Sequence, residues 1–391
     1  MVPLPRELPR ICIVGLRNLN VLAPEYGRGA GGGAERQQVL LAKALCQRGL
    51  DVSMIVHDHG QPDGQPLDGI TTYAAYDSDA GIPGLRFIHP RWTGLWSALK
   101  RADADIYYLS CASMAVGETA LFARLHRRHV VFRVASDLDC DPELHVLLYW
   151  RHKALFRYGL RRADAVLAQT TKQQTLLASR GRSSRIVAPI SDLTCRGLPR
   201  EARDISVLWV NNFRPSKRAD LLLDLARQMP AVRFDMVGGP VGRSEDHFEQ
   251  MRRTAQSLPN VHFHGYVDYE KTAVLYERAR LLVSTSEIEG FPNTYLQAWA
   301  SGTPVVAFFD PDGVIARNGL GRTVAGLDEM KSVVSALLTS EADWEAASDR
   351  CHAYVAGVGN EDDVLAPYIE TFLSLRPANR VAGPRPARVR T

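Results

Sequence analysis

The chain has 391 residues, 46% hydrophobic and 23% charged, with a formal net charge of +4. That length exceeds what one hydrophobic core usually supports, so two domains are expected, and the composition is that of a globular protein rather than a disordered or fibrous one. No apolar run approaches the ~20 residues that span a bilayer, the leading segment has no signal-peptide core, and the six cysteines never form CxxC, so reduced thiols in a cytosol are expected.

Residues 11–16 are a short apolar run of the kind that forms a buried strand. The loop after it ends in Gly31-Gly32-Gly33-Ala34-Glu35-Arg36, and a helix to Arg48 has Leu41 and Leu45 four apart, closed by Gly49 before a strand over 52–56. This is a βαβ unit whose helix entry at Gly32 and Gly33 lets the backbone approach a phosphate or sugar. His57-Asp58-His59 closes the second strand; two such histidines in a loop are more often structural, and no metal is expected. Trp92 and Trp96 have a packing spacing, and residues 106–109 and 130–134 read as strands either side of a helix near 118–128. Asp137-Leu138-Asp139 and Asp310-Pro311-Asp312 have the spacing of a metal-binding DxD but read as loop residues.

Residues 142–162 are helical in pattern, aromatic and basic, with Tyr149, Trp150, Arg151, Phe156, Arg157 and Tyr158 among them. Between residues 85 and 163 there are 13 Lys and Arg against 7 Asp and Glu. Such a face either rests on an anionic lipid surface or packs its aromatics inward as an ordinary solvated helix. A strand over 163–169 follows, with Thr170 or Thr171 capping the next helix.

Periodicity fails over 183–203, where Pro189, Gly197 and Pro199 mark a boundary between domains at 1–190 and 204–360. The second domain repeats the alternation: strand 205–210, helix 217–228 with Leu221, Leu222 and Leu225 inward, then strands 232–237, 261–267, 279–284 and 303–309. Strand alternating with helix argues for a doubly wound parallel sheet. A helix over 361–375 and a Pro- and Arg-rich tail over 376–391, expected to be disordered, end the chain.

Two loops of the second domain carry chemistry. Asn211-Asn212-Phe213-Arg214-Pro215-Ser216-Lys217-Arg218 sets three cations beside a helix start, which suits a diphosphate because a lysine point charge and an arginine fork neutralise it without a metal. Residues 284–306, STSEIEGFPNTYLQAWASGTPVV, read as strand end, acidic loop, short helix and next strand. Gly290, Pro292 and Asn293 bring backbone NH groups near a ligand, and a helix start favours an anion, so the acidic Glu289 is better placed for hydroxyl groups than for phosphate.

The second stretch resembles the signature of family-4 retaining glycosyltransferases of the GT-B fold: Glu, seven residues, Glu, then a small residue, Gly, any residue and Pro-Val-Val. Here it runs from Glu289 to Gln297 and then Ser301-Gly302-Thr303-Pro304-Val305-Val306, with Gln297 in place of the second Glu. The resemblance implies an α/β GT-B architecture, two Rossmann-like doubly wound domains facing a central cleft, with the helix 361–375 crossing back to the N-terminal domain. It gives Glu289 the transferred sugar, Gln297 the ribose hydroxyls and Lys217 the donor diphosphate. Asn212 stands where the family has an Arg, and Arg214 is the substitute. Gly32 and Gly33 match the family's Gly-Gly loop, Phe291, Asn293 and Thr294 join the donor contacts, and Asp137 lies near the place of a family His that approaches the sugar. The activity implied is retaining transfer from a UDP- or GDP-linked sugar to a glycan or lipid-linked acceptor in cell-surface polysaccharide or glycolipid synthesis. The expected protein is cytoplasmic and peripheral to the inner face of the membrane, with no metal, no cofactor and no nucleic-acid partner. The alternative is a non-catalytic sugar-nucleotide binding protein of the same fold, favoured by Gln297 and Asn212.

Overall fold

The computed structural model describes residues 8–29, 31–191, 196–241, 244–358 and 361–375; the tail expected over 376–391 lies outside them. Short runs of β-branched and aromatic side chains form β1 (Arg10–Val14), β2 (Asp51–Val56), β3 (Gln65–Leu67), β4 (Ile70–Ala74), β5 (Ile106–Ser110), β6 (His129–Arg133), β7 (Ala165–Ala168) and β8 (Arg185–Ile186). They make one sheet in the order β3-β4-β2-β1-β5-β6-β7-β8. A second sheet, β11-β10-β9-β12-β13-β14, is built from β9 (Ile205–Val210), β10 (Phe234–Val237), β11 (Val261–Gly265), β12 (Ala279–Ser284), β13 (Val305–Ala307) and β14 (Gly321–Thr323). The described ladders are parallel except β3 with β4. Parallel strands covered by helices on both faces read as continuous apolar runs, and each sheet accordingly carries a hydrophobic cluster on either side.

Several elements differ from the sequence expectation. The β3–β4 hairpin was not foreseen, although Asp68-Gly69 marks it: both residues take positive φ, 45° and 80°, as a two-residue hairpin turn of mirror-image type requires. The helix expected over 142–162 runs only over Trp150–Arg162, because Pro142 and the left-handed Leu144 (φ 50°) hold the preceding segment in turns. The helix expected from Lys217 begins at Ala219, since Arg218 takes φ 51° after a 3₁₀ turn over Pro215–Lys217; its inward leucines are Leu222, Leu223 and Leu225, with Leu221 half-buried. Trp92 stacks on Trp96, which meets Phe122 edge-on, so this pair is packing.

The last helix, Glu361–Ser374, returns to the first sheet and buries Leu365, Tyr368, Ile369 and Phe372 beside β1 and β5. Each such side chain contributes roughly 1.5–3 kcal/mol relative to exposure. The two domains also meet across the cleft, through loops and helix starts. The Asn293 amide donates to the Gly33 carbonyl at 3.0 Å, and the Gln37 amide donates to Asn293 Oδ1 at 3.0 Å and to the Ile190 carbonyl at 2.8 Å. Arg36 lies 3.6 Å from the centre of the Tyr269 ring. Asp312 reaches over to the start of helix Thr171–Ala178, accepting from the Thr171 NH at 2.6 Å and the Lys172 NH at 3.4 Å, beside that helix's own cap, Thr170.

Asp312 is thus a helix cap supplied by the opposite domain. Losing a cap costs about 1 kcal/mol, and here that loss falls on the closed arrangement and not on either domain's core. Asp312→Ala is expected to enlarge the radius of gyration in X-ray scattering while leaving the unfolding temperature within a few degrees of the parent; an unchanged scattering curve would show that the cap does not hold the domains together.

Candidate active site

In doubly wound sheets, ligands bind beyond the carboxyl ends of the strands, where the winding direction reverses. In the second sheet that point lies between β9, which continues to β10 on one side, and β12 on the other. The loop after β9 carries Lys217 and the loop after β12 carries Glu289. The topology therefore brings together two residues 72 positions apart: Lys217 Nζ and Glu289 Oε1 form an ion pair, their side chains 15% and 14% exposed. The Lys217 turn is fixed from below, since buried Trp209 Nε1 donates to Thr285 Oγ1 at 3.0 Å and Thr285 Oγ1 donates to the Lys217 carbonyl at 2.7 Å.

The other candidates fall around this pair to different degrees. Arg214 is exposed and its guanidinium has no partner among the described residues, whereas Arg218 is engaged with Asp220 and Glu287. Asn212 holds a buried Oδ1 with no hydrogen bond among the described residues. Asn293 and Thr294 begin the helix Asn293–Ala300, so their NH groups have no acceptor within it. Gln297 is buried and its carbonyl accepts from the Tyr276 hydroxyl at 3.1 Å, so a ribose hydroxyl must share that oxygen or meet the amide nitrogen. Phe291 instead lines an apolar cavity of about 240 Å³ with Ile190, Leu296, Val314 and Tyr354, its ring 6.4 Å from that of Trp299. The ring is half-buried there, beside polar groups from both domains such as Gln169 and Asp312.

From the first domain, the Asp137 NH donates to the Glu289 carbonyl at 3.2 Å, and the Asp137 carboxylate pairs with Lys172 at 2.7 Å and accepts from Gln173 Nε2 at 3.2 Å. Asp139 is structural: it accepts from the NH groups of Ala112, Ala135 and Ser136. Gly290 is pressed on the same strand end. A Cβ there would lie 2.2 Å from the Ala135 carbonyl oxygen, so only glycine permits this approach. Gly32 precedes helix Gly33–Gln47, and a Cβ on Gly33 would lie 3.0 Å from Asn293 Nδ2.

The carboxyl edge of the first sheet is more polar than the sequence indicated. His57 Nδ1–H donates to the Tyr76 carbonyl at 3.1 Å, and its imidazole is pushed down to about 4, first by burial and then by repulsion from His59, Arg17 and Arg91. His59 and His57 each meet a backbone carbonyl through Nδ1, and no group of three or more potential metal-ligating side chains converges among the described residues. Arg91 donates to the Ser78 carbonyl at 3.2 Å and keeps a buried Nε without a hydrogen bond among the described residues. Glu118, on helix Met114–His126, is fully buried with neither carboxyl oxygen hydrogen-bonded among the described residues, and burial pushes its pKa up from 4.5 to about 9.

Glu118 gives a pH prediction. Between pH 4.5 and about 9 the folded chain holds a proton that the unfolded chain has released. Stability therefore falls as pH rises through that window, by at most about 1.4 kcal/mol per pH unit. Glu118→Gln removes the penalty, so it is expected to raise the unfolding temperature at pH 8 much more than at pH 5; equal shifts at both pH values would contradict a neutral Glu118.

Two facing parallel-sheet domains, an active-site candidate at the switch point of the second and a last helix that returns to the first define a GT-B architecture. Comparison with known proteins agrees. Residues 204–343 match the family described as glycosyl transferases group 1, and residues 32–191 match the glycosyl transferase 4-like domain. The chain belongs to the family-4 GT-B glycosyltransferases. It is 33% identical over 183 residues to the D-inositol 3-phosphate glycosyltransferase of Mycolicibacterium paratuberculosis, covering 45% of this chain and 41% of that one. It is 22% identical over 295 residues to an uncharacterized glycosyltransferase of Haemophilus influenzae, covering 73% of this chain and 79% of that one. Against the first of these relatives the match thus spans less than half of the relative's length. Among solved structures, sucrose-phosphate synthase from Thermosynechococcus elongatus superposes with a TM-score of 0.76 at 17% identity, covering 94% of this chain and 99% of the other. Anabaena HepE in complex with UDP and glucose gives a TM-score of 0.73 at 17% identity, covering 94% of this chain and 100% of the other.

Sequence reading missed the residues that join the domains. Gln37 donates to the Asn293 side chain and Asp312 accepts from the Thr171 NH, pairings across the cleft with no sequence motif. The unpartnered Glu118 left one faint signal, a carboxylate inside an otherwise apolar helical stripe.

Proposed function

We propose that the protein transfers a sugar, with retention of configuration, from a nucleoside-diphosphate sugar to an acceptor held by the first domain, a glycan or lipid-linked saccharide of the cell surface. The observation that carries this reading is the Lys217–Glu289 pair at the switch point of the second sheet. When donor enters, its diphosphate takes over Lys217, aided by Arg214 and the NH groups of Asn293 and Thr294, and Glu289 is released to the hydroxyls of the sugar. Fixed cations and a helix start stabilise charge that grows on the leaving diphosphate. The anomeric C–O bond to the diphosphate breaks, the bond to the acceptor oxygen forms on the same face, and the acceptor proton passes to a donor phosphate oxygen. Asp137, braced by Lys172 and Gln173, holds the Glu289 loop through its NH.

UDP-glucose is the first donor to test, because the HepE neighbour is described with UDP and glucose and with UDP-glucose. On the acceptor side, Arg17 and Arg91 flank His57 at the cleft edge, which suits an acceptor carrying phosphate, as the name of the inositol-phosphate relative also indicates. Since protein cations neutralise the diphosphate, no metal is needed. The test is release of nucleoside diphosphate from UDP- and GDP-sugars in the presence of phosphorylated acceptors. Turnover that persists with a chelator and yields a product of the donor's anomeric configuration supports the proposal; binding without turnover across the panel would favour a sugar-nucleotide binding protein.

A further inference from the structure

The apolar surface of this protein is unevenly spread. Among the described residues 14 large apolar side chains are exposed, and seven of them lie in two segments that meet in space. Ile82, Leu85 and Ile88 come from the segment after β4, with Ile82 69% exposed. Val146, Leu148 and Tyr149 come from the turns before helix Trp150–Arg162 and Trp150 opens that helix, with Leu148 78% and Trp150 79% exposed. Phe87 joins the two: its ring stacks on His152 at 6.2 Å, and the Arg151 guanidinium lies 5.0 Å from the Phe87 ring centre and 4.5 Å from that of Tyr149.

This arrangement differs from an amphipathic helix lying on a surface. Phe156 is fully buried against Phe132, so the helix turns that aromatic inward, and the exposed apolar groups of this segment stand at its first residue and on the turns ahead of it. Around them basic residues predominate. Residues 82–92 and 141–162 together hold seven Lys and Arg and two Asp and Glu. Of the two acids, Asp141 is bound to His145 at 2.5 Å, and Glu143 is exposed. Both segments follow the carboxyl ends of strands, β4 and β6, so they leave the same edge of the sheet as the Asp137 loop that touches Glu289.

We propose that this patch docks the protein on an anionic membrane surface, with Ile82, Ile88, Leu148 and Trp150 entering the interface and the cations of helix Trp150–Arg162 facing acidic headgroups. The proposal rests on the acceptor reading above, since the docked edge is the one that opens on the cleft. Exposed apolar side chains set among an excess of cations are the combination that binds acidic bilayers, whereas a protein partner of ordinary composition does not call for a net positive rim around the apolar centre. No helix among the described residues is long and apolar enough to cross a membrane, so attachment here is by surface contact.

The full chain is sedimented with phosphatidylcholine vesicles with and without phosphatidylglycerol, as the parent and as Leu148→Ser/Trp150→Ser and Ile82→Ser/Ile88→Ser variants. The expected result is binding to the acidic vesicles alone, weakened by salt and reduced at least about tenfold in each double variant, with a blue shift of tryptophan emission lost in Leu148→Ser/Trp150→Ser. Donor affinity in solution, measured on the same variants, is expected to stay at the parent value, which separates failure of docking from failure of the transferase reading. Equal binding by parent and variants, no preference for acidic lipid, or a parent that dimerises through the patch and loses the dimer in the variants would overturn the proposal.

Discussion

Lys217→Ala is expected to lower kcat/KM for transfer by about 10²–10³, the range seen when one preorganised donor to a developing anion is removed. Two consequences of the geometry add here. The diphosphate loses its most enclosed cation, and Glu289 is left as a carboxylate with little solvent around it, because the pair's side chains are 15% and 14% exposed. Lys217→Arg keeps the charge but places a planar fork where a point charge fits over the Thr285-anchored turn, so it should recover only part of the activity. Steady-state kinetics with saturating acceptor, alongside thermal unfolding, checks this. An activity loss below about tenfold with a folded variant would remove Lys217 from the diphosphate site.

Glu289→Gln should act differently. The amide keeps the size of the side chain and a hydrogen-bonding oxygen, so donor binding is expected to change by only a few fold. The rate is expected to fall by about 10²-fold, because the carboxylate's charge-assisted hydrogen bonds to the sugar, and its charge beside an oxocarbenium-like centre, are both lost. The split between kcat and KM is the informative readout: a rise in KM with kcat unchanged would make Glu289 a ground-state binding residue only. Lys217, released from its partner, should hold the diphosphate at least as tightly in this variant.

The second domain was legible because its chemistry is local. A strand, a turn and a helix start within residues 284–306 set the acidic loop, and the 211–218 loop set the cations, so both halves of the site stood in short contiguous motifs. What placed them together was topology: β9 and β12 are neighbours at the switch point, and the ion pair follows. The strands of the first domain were legible for the same reason, as apolar runs between helices, but its polar edge was not. Glu118 and Arg91 are 27 positions apart, and both act electrostatically on the Tyr76 hydroxyl, a proximity that no periodicity reports. The helix expected over 142–162 failed at its start because a left-handed Leu144 is set by the surrounding turns and not by leucine's own preference. That failure changed the meaning of the segment, since it moved Val146, Leu148 and Tyr149 from a helix face onto the turns before it.

Gln297 and Asn212 are the departures that matter most to mechanism. Gln297 shares its carbonyl with Tyr276, and Asn212 presents a buried oxygen and not a cation, so the donor's charge falls on Lys217 and Arg214. The most direct test of the account is calorimetric titration of UDP- and GDP-linked sugars into the parent and into Lys217→Ala. The account predicts saturable binding of one donor by the parent, weakened at least about tenfold in Lys217→Ala. Equal affinity in the two proteins, or no binding of any nucleotide sugar by the parent, would contradict a diphosphate site at Lys217.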